Sequence, residues 1–297
     1  MRLEVNPVGT AEAHLAALRR CFPEWGDEHK YAWYFKARAG VRTPDVLALS
    51  EASQWVAGLG LTYRTVQSAI GERHEVAILT GAWTLPSFRG HGLFSKLVAA
   101  AREQARHAGA IAVLGFVRAN NPSKGALERL GAQMVETGYW TGALDQPAGV
   151  ESRLRTVALG ESLAADLWRR LGRITTATHF HYQTAASFEA QYLSRPQPSV
   201  VLADRSGNHA ILERDRGGLS VLFTSKGDGG ADAAADFPRR LRAFALEHGY
   251  TLSLFNCGAH KDEDLLRAGL LPSPGFLCVL EDDKRDQAWI VQGGDRA

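Results

Sequence analysis

The sequence predicts an α/β (α+β) protein: a mixed central sheet flanked by helices, whose order of elements begins again in the second half of the chain. Three observations carry that prediction. The first half alternates period-2 and period-3.6 apolar patterns in the order strand, strand, helix, strand, helix, strand. Between Thr84 and Phe94 the chain reads Thr-Leu-Pro-Ser-Phe-Arg-Gly-His-Gly-Leu-Phe, a strand giving way through a glycine turn to a helix. Beyond residue 208 the same succession of segments returns.

Taken in order, Leu3 to Asn6 alternates as a short strand, and Ala11 to Cys21 sets Leu15, Leu18 and Cys21 on one helical face. A second helix is expected over His29 to Ala37. Asp45 to Ser50, Trp55 to Val66 and His74 to Leu85 are strand-like, the last two joined as a long hairpin around Ala69, Ile70 and Gly71. In the helix that runs on to His107, Leu93, Leu97, Val98, Ala101 and Ala105 line the inner face, and Lys96, Arg102, Glu103 and Arg106 the outer one. Gly109 closes it. Ala110 to Val117 is an unbroken apolar run, as expected of a strand buried on both faces at the sheet centre. A helix from Ser123 to Leu130, then Gly131 and a strand over Ala132 to Tyr139, complete the set.

The second half opens with helix-like stretches at Gly160 to Leu171 and Phe188 to Leu193. Asn208 to Arg214 and Leu219 to Thr224 then read as a hairpin. Ala233 to His248 (helix), Thr251 to Phe255 (strand), Asp262 to Ala268 (helix) and Phe276 to Leu280 (strand) follow. Arg106-His107-Ala108-Gly109 and Glu247-His248-Gly249-Tyr250 mark the same helix exit, and Leu127 to Gly131 and Leu265 to Gly269 share a Leu-x-x-x-Gly ending. This is read as an internal duplication, with domains over 1–145 and 146–297.

With 297 residues, 45% hydrophobic and 22% charged, the chain has room for two medium domains. A net charge of +2 and the lack of a Lys/Arg cluster point away from nucleic acid. Cys21, Cys257 and Cys278 are scattered without metal-ligand spacing, which fits a reducing compartment and buried structural thiols. His179 and His181 share one strand face but have no third ligand at a telling spacing, so no metal is expected. Ala110 to Val117 is too short to cross a bilayer and Met1 to Thr10 lacks an apolar core of a leader, so no membrane partner and a cytoplasmic location are expected. A monomer or homodimer is anticipated.

The glycine turn is the segment with chemistry in it. A helix start leaves backbone N–H groups without partners, the helix dipole favours an anion there, glycine lets the backbone approach a ligand, and Arg89 adds a fork of charged donors. A diphosphate fits such an end. No Gly-Lys-Ser/Thr run exists for a Walker loop, and Gly90-His91-Gly92 followed by Phe94 and Ser95 breaks the dinucleotide pattern. Arg89-x-x-Gly92, with Pro86 ahead of it, resembles the acetyl-coenzyme A signature Q/R-x-x-G-x-G/A of the GNAT superfamily of N-acetyltransferases; the sixth position departs, being Phe94. The family's second landmark is an Asn after the fifth strand, a Tyr seven residues on, and Gly-Phe. Asn120 and Gly131 match it, while Leu127 and Ala132 stand at the Tyr and Phe positions. The resemblance covers residues 1 to 145.

That resemblance implies a GNAT-like mixed central sheet followed by a degenerate GNAT-like domain that completes the acceptor cleft. It implies acetyl-CoA as co-substrate, bound by Trp83, Thr84, Leu85, Arg89, Gly90, His91, Gly92, Leu93, Phe94, Asn120 and Ser123. His91 points either to the phosphates or to solvent. Asn120 and Asn121 ahead of Pro122 also read as turn formers. Family members that acetylate lysine often carry a carboxylate where this chain has Ala77, Ile78 and Leu79. Glu75 and His74 are the nearest alternatives for a base, and each also reads as a solvated hairpin residue. Deprotonating a lysine amine at neutral pH costs roughly 4 to 5 kcal/mol, against about 1 for an amine of pKa near 7.7, so a missing strong base favours a small-molecule amine such as an amino sugar or α-amine. For the proton of the departing thiolate the candidates are Tyr139, Tyr63 or a water held by Asn120. Tyr31, Trp33, Tyr34, Trp55, Tyr63 and Trp83 serve either an acceptor pocket or the core.

In the second copy the turn becomes Lys226-Gly227-Asp228-Gly229-Gly230, with Asp232 and Asp236 following. Two anions ~5 Å apart repel by on the order of 3 kcal/mol at an effective dielectric near 20, so this turn is not expected to hold coenzyme A. Two other readings stand beside the N-acetyltransferase: a non-catalytic acyl-CoA sensor, and an aminoacyl-transferase on twin GNAT domains.

Overall fold

The computed structural model describes every residue except 8, 36–41, 53, 146–147, 216–217, 282–287 and 297. The expected helix end at Ala37 therefore lies outside the described residues. In chain order the first half forms β1 (Arg2–Val5), α1 (Thr10–Cys21), α2 (Glu28–Phe35), β2 (Asp45–Glu51), β3 (Gln54–Gln67) and β4 (Arg73–Thr84). A 3-10 turn, Pro86–Phe88, leads to α3 (Leu93–His107), β5 (Ala112–Arg118), α4 (Ser123–Arg129) and β6 (Gln133–Gly142). Next come β7 (Arg155–Val157), α5 (Glu161–Leu171), β8 (Thr178–His181), α6 (Ala185–Tyr192) and β9 (Ser199–Ala203). Then β10 (His209–Asp215), β11 (Gly218–Ser225), α7 (Gly230–Glu247), β12 (Thr251–Asn256), α8 (Asp262–Arg267) and β13 (Leu271–Glu281) repeat the earlier order. The chain closes with β14 (Trp289–Ile290) and a 3-10 turn, Gly293–Arg296.

The main path of the sheet runs β1-β2-β3-β4-β5-β13-β6-β12-β11-β10-β9-β7. Along this path, among the described residues, each half holds one parallel pair, β4 with β5 and β11 with β12, flanked by antiparallel strands; off it, β14 pairs parallel with β8. The two halves exchange their last strands. β13 lies antiparallel between β5 and β6, and β6 lies antiparallel between β13 and β12. The sheet is therefore continuous through both halves.

The duplication extends to the caps. Gly131 and Gly269 end α4 and α8 with positive φ (85° and 71°), and Ala132 and Leu270 each return an N–H to the leucine carbonyl five residues back, at 3.0 Å. Gly109 and Gly249 do the same for α3 and α7, since Ala110 and Tyr250 bond back to Ala105 and Ala245. Only glycine takes those φ values without strain, which is why the Leu-x-x-x-Gly endings were readable.

Helices cover both faces. Leu93, Leu97, Val98 and Ala101 of α3 pack with Leu127 of α4 on Leu47, Leu59, Leu61 and Val113. On the other face α1 and α2 pack Leu18, Tyr31 and Phe35 against Val46 and Trp83, while Leu167 of α5 and Phe188 and Tyr192 of α6 join the core that holds Ile78, Leu114 and Leu277. Phe237 and Leu241 of α7 and Leu265 of α8 cover the second half. No helix among the described residues is long and apolar enough to cross a membrane.

Candidate acyl-CoA site

β4 and β5 stay paired only from Val76–Ala112 to Ile78–Leu114. Beyond that point they separate, and a bulge between the Gly58 and Gly60 partners bends β4 at Gly81, whose φ is +58°. A bulge increases twist, which is how one edge of a strand leaves its neighbour. Leu85 N–H donates to the Val56 carbonyl, so alternation turns the backbone groups of Thr84 away from β3 and into the gap. Trp83 contributes backbone alone to that gap; its indole is buried with α1 and α2 and covers Gly58.

Because β4 and β5 are parallel, the turns that follow them lie at the same edge of the sheet, where α/β sheets hold their ligands. After β4, Gly90 and Gly92 take φ of +83° and +70°, and a Cβ at either would meet nothing within 4 Å. Gly92 is the N-cap of α3 and offers no capping side chain. Leu93 is buried in the core below and Phe94 is half-buried against it, so both present only backbone to the turn. Arg89 is exposed and its Nε donates to the Thr84 carbonyl at 3.2 Å; His91 is exposed. Leu85 is buried. After β5, Asn121 Oδ1 accepts from Ser123 N–H at 2.9 Å, which makes Asn121 the turn former and leaves Asn120 exposed at the tip. Cys21 reaches the Thr84 carbonyl with Sγ at 3.6 Å, and burial pushes its thiol pKa up.

Tyr139 belongs to the same edge. Arg118 pairs with Gly275 and Gly275 with Thr137, so Tyr139 lies two residues further in the direction in which β5 ends. Its ring crosses Gly275, where a Cβ would come within 2.4 Å. The guanidinium carbons of Arg118 and Arg296 lie 4.8 and 5.2 Å from that ring's centroid, no more than about 10 Å apart. Like charges at that spacing repel by about 1.7 kcal/mol at an effective dielectric of about 20, before salt screening. Arg296 also lines a cavity of about 740 Å³ between the two halves, with Tyr34, Lys30, Arg195 and Leu222 on its wall. Of the aromatic candidates, Tyr34 faces this cavity, whereas Tyr31, Trp33, Tyr63 and Trp83 are buried.

Glu75 is not brought to this edge. Its carbonyl accepts from Ile111 N–H at the start of β5, seven residues before Arg118, which is roughly 23 Å along a strand. Its side chain is exposed, as a solvated hairpin residue would be. Ala77 and Ile78 are fully buried and apolar, and Leu127 is buried against α3.

The second half carries the same separation, and its own chain fills it. β11 and β12 part after Val221–Leu254, with a bulge at Leu222. The C-terminal segment enters there. Val291 N–H donates to Cys257, and the Gln292 amide accepts from Thr224 N–H (3.1 Å) and donates to the Thr224 carbonyl (3.2 Å). The turn is packed at its start, where Gly227 N–H donates to Asn208 Oδ1 and a Cβ at Gly227 would lie 2.0 Å from the Ser206 carbonyl oxygen, while Gly230 is open and a cavity of about 340 Å³ lies beside Lys226 and His260. Where Gly90 and Gly92 are open, Gly227 is packed.

The model of the acetyltransferase (GNAT) family matches residues 12–132. No curated protein matches the sequence. Among solved structures, a tandem GNAT protein from the clavulanic acid biosynthesis pathway superposes with a TM-score of 0.64 at 14% identity, over 96% of this chain and 100% of that one. A GCN5-related N-acetyltransferase from Anabaena variabilis gives 0.64 at 13% identity, over 94% and 72%. The Saccharomyces cerevisiae N-myristoyltransferase with bound myristoyl-CoA gives 0.67 at 12%, over 99% and 81%. At these identities the structures speak for the fold, and the family match speaks for the first half. The signature turn, the separated parallel strands and the family match agree: residues 12–132 match the acetyltransferase (GNAT) family, within a chain that has the tandem GNAT fold.

Proposed function

We propose that this protein is an acetyl-CoA-dependent N-acetyltransferase that acts on a primary amine of a small molecule. The observation that carries the reading is the gap between β4 and β5 with its open turn at Gly90 and Gly92, set against the filled counterpart in the second half. Thr84 offers a strand edge on which an amide-bearing pantetheine arm can pair, and the first N–H groups of α3 with Arg89 take the diphosphate. A backbone N–H at the β4 bulge serves the developing oxyanion, a donor whose removal typically costs about 2.7 to 4 kcal/mol.

The amine nitrogen attacks the thioester carbonyl, the carbon–sulfur bond breaks, the amine releases a proton and the thiolate takes one. Tyr139, at the same edge as the gap, is our candidate for the proton donor. No carboxylate of β4 reaches that edge, so the acceptor amine enters neutral or loses its proton to water, which favours an amine of low pKa. Residues 1–145 and 146–297 are the two units of the repeat, the second building one wall of the acceptor cavity.

Thiol release from acetyl-CoA across a panel of amines tests the function. Turnover with at least one small amine, and one coenzyme A bound per chain by calorimetry, are expected. Binding without turnover across the whole panel favours the sensor reading, to which Leu127 at the family's Tyr position lends its one observation. Two coenzyme A molecules per chain would overturn the assignment of a single site.

A further inference from the structure

The acceptor's chemistry follows from the two guanidiniums that share the Tyr139 ring, and this inference rests on the acyl-transfer reading above. Among the described residues, neither Arg118 nor Arg296 has a carboxylate within ion-pair distance. Arg296 is fixed in place. Its guanidinium lies over Phe255 (4.5 Å) as well as Tyr139, and its Nε donates to the Gly293 carbonyl at 3.2 Å.

The turn that carries it is anchored from below. Asp295 is buried and accepts from the hydroxyls of Tyr182 (2.7 Å) and Tyr192 (2.5 Å) and from Gln292 N–H (2.8 Å). Gly293 presses on the Val221 carbonyl so closely that a Cβ would come within 2.3 Å. A long side chain held this way has already lost the rotamer freedom that binding would otherwise cost. The cavity that Arg296 lines sets four Lys or Arg side chains against three carboxylates, and Glu213 among these is taken by Arg195 at 3.2 Å.

We propose that the amine acceptor also carries a carboxylate, and that Arg296 together with Arg118 holds it beside Tyr139 at the mouth of the gap. The guanidinium fork matches a carboxylate in shape and charge, and the anion relieves the repulsion between two cations brought to one ring. By charge this selects small amino acids over neutral amino sugars, even though the neighbouring carboxylate holds a free α-ammonium above the pKa of an amide or an amino sugar and makes it the harder amine to deprotonate. The transfer itself is unchanged: the acetyl group leaves sulfur for the amine nitrogen, and the carboxylate takes no part in bond making.

The test compares amino acids with their amides, and glucosamine with glucosamine 6-phosphate, as acceptors for the full chain with acetyl-CoA. Carboxylated amines should exceed their amides at least ~10-fold in kcat/KM. Arg296→Met should raise KM for the carboxylated amine by about 10- to 100-fold, the loss of one charged fork, and erase that preference. Arg296→Lys should restore part of it, and the affinity for acetyl-CoA should not change. Arg118 is exposed, so Arg118→Met serves as a second variant free of folding effects, with the same direction of change.

Equal use of amides, or a preference that survives both variants, would overturn the proposal, and a stronger preference for the sugar phosphate would overturn the carboxylate assignment. If acetyl-CoA binds and no amine turns over, the transfer reading fails by itself. The anion site is then judged by titrating N-acetyl amino acids into the coenzyme A complex: binding lost in Arg296→Met sustains it, and no binding to the unaltered chain ends it.

Discussion

Gly92 caps α3 in the left-handed region with open space around it, so its role is conformational and its surface is free for a ligand. Gly92→Glu should abolish coenzyme A binding, through both side-chain bulk and a negative charge at the site of the diphosphate, while Gly92→Ala costs about 1 to 2 kcal/mol of strain and leaves the site unblocked. Calorimetric affinity and melting temperature separate the two effects; full affinity in the Glu variant would remove this turn from the site. Tyr139→Phe should lower kcat on the order of 10²-fold with unchanged coenzyme A affinity if the phenol donates the proton. At this scale Arg89, Gly90 and Gly92 were legible in the sequence because their chemistry is local. Arg296 was not: its neighbours Tyr139 and Phe255 lie far away in sequence, and only the path of the C-terminal segment brings them together. The same path supplies Gln292, whose amide fills the second gap, whereas the sequence offered only the aspartates at 228, 232 and 236 as a reason for that gap to be closed. Asp236 in fact pairs with Arg240 on its own helix at 2.9 Å.

Among the elements, the helices and most strands were predicted within a few residues, because their apolar periods are written in consecutive side chains. β7 and β14 carry too few residues for a period to show, and β9, Ser-Val-Val-Leu-Ala, is a short apolar run without alternation. The exchange of β6 and β13 was also hidden, since strand order depends on pairings distant in sequence. It has a measurable consequence. A fragment of residues 1–145 loses β13 and exposes the edge of β5 from Ala112 to Arg118, a row of unpaired backbone groups along an apolar strand. We expect that fragment to aggregate or stay unfolded, and co-expression with 146–297 to restore a soluble complex. A sharp, well-dispersed amide spectrum from 1–145 alone would show that the first unit folds without its partner strand.

For the whole molecule, acid stability follows from buried imidazoles. His14 is fully buried between α1, α2 and Trp83, and burial lowers its pKa from 6.5 to about 4. His179 is shifted in the same direction by the same cause. Between pH 6.5 and 4 the unfolded chain takes up the proton first, so stability falls as pH falls, by up to about 3 kcal/mol for His14 alone. Asp295 acts oppositely, because burial raises its carboxyl and protonation then favours the folded state. Urea midpoints at pH 7 and pH 5 should show the net loss, and His14→Gln should reduce it; identical midpoints in the parent protein would contradict the assignment.

What the sequence determined by itself was everything set by neighbours along the chain: the α/β class, the element order and its repetition, the glycine caps and the turn at Arg89 to Gly92. What only the tertiary structure decided was which strands lie side by side, which of two similar gaps stays open, and which cations meet at Tyr139. Those outcomes depend on contacts between residues from about twenty to more than a hundred and fifty positions apart, which no local period or turn residue encodes. The C-terminal segment packs into the gap of the second half, between Thr224 and Cys257, while β4 and β5 part after Ile78 and Leu114.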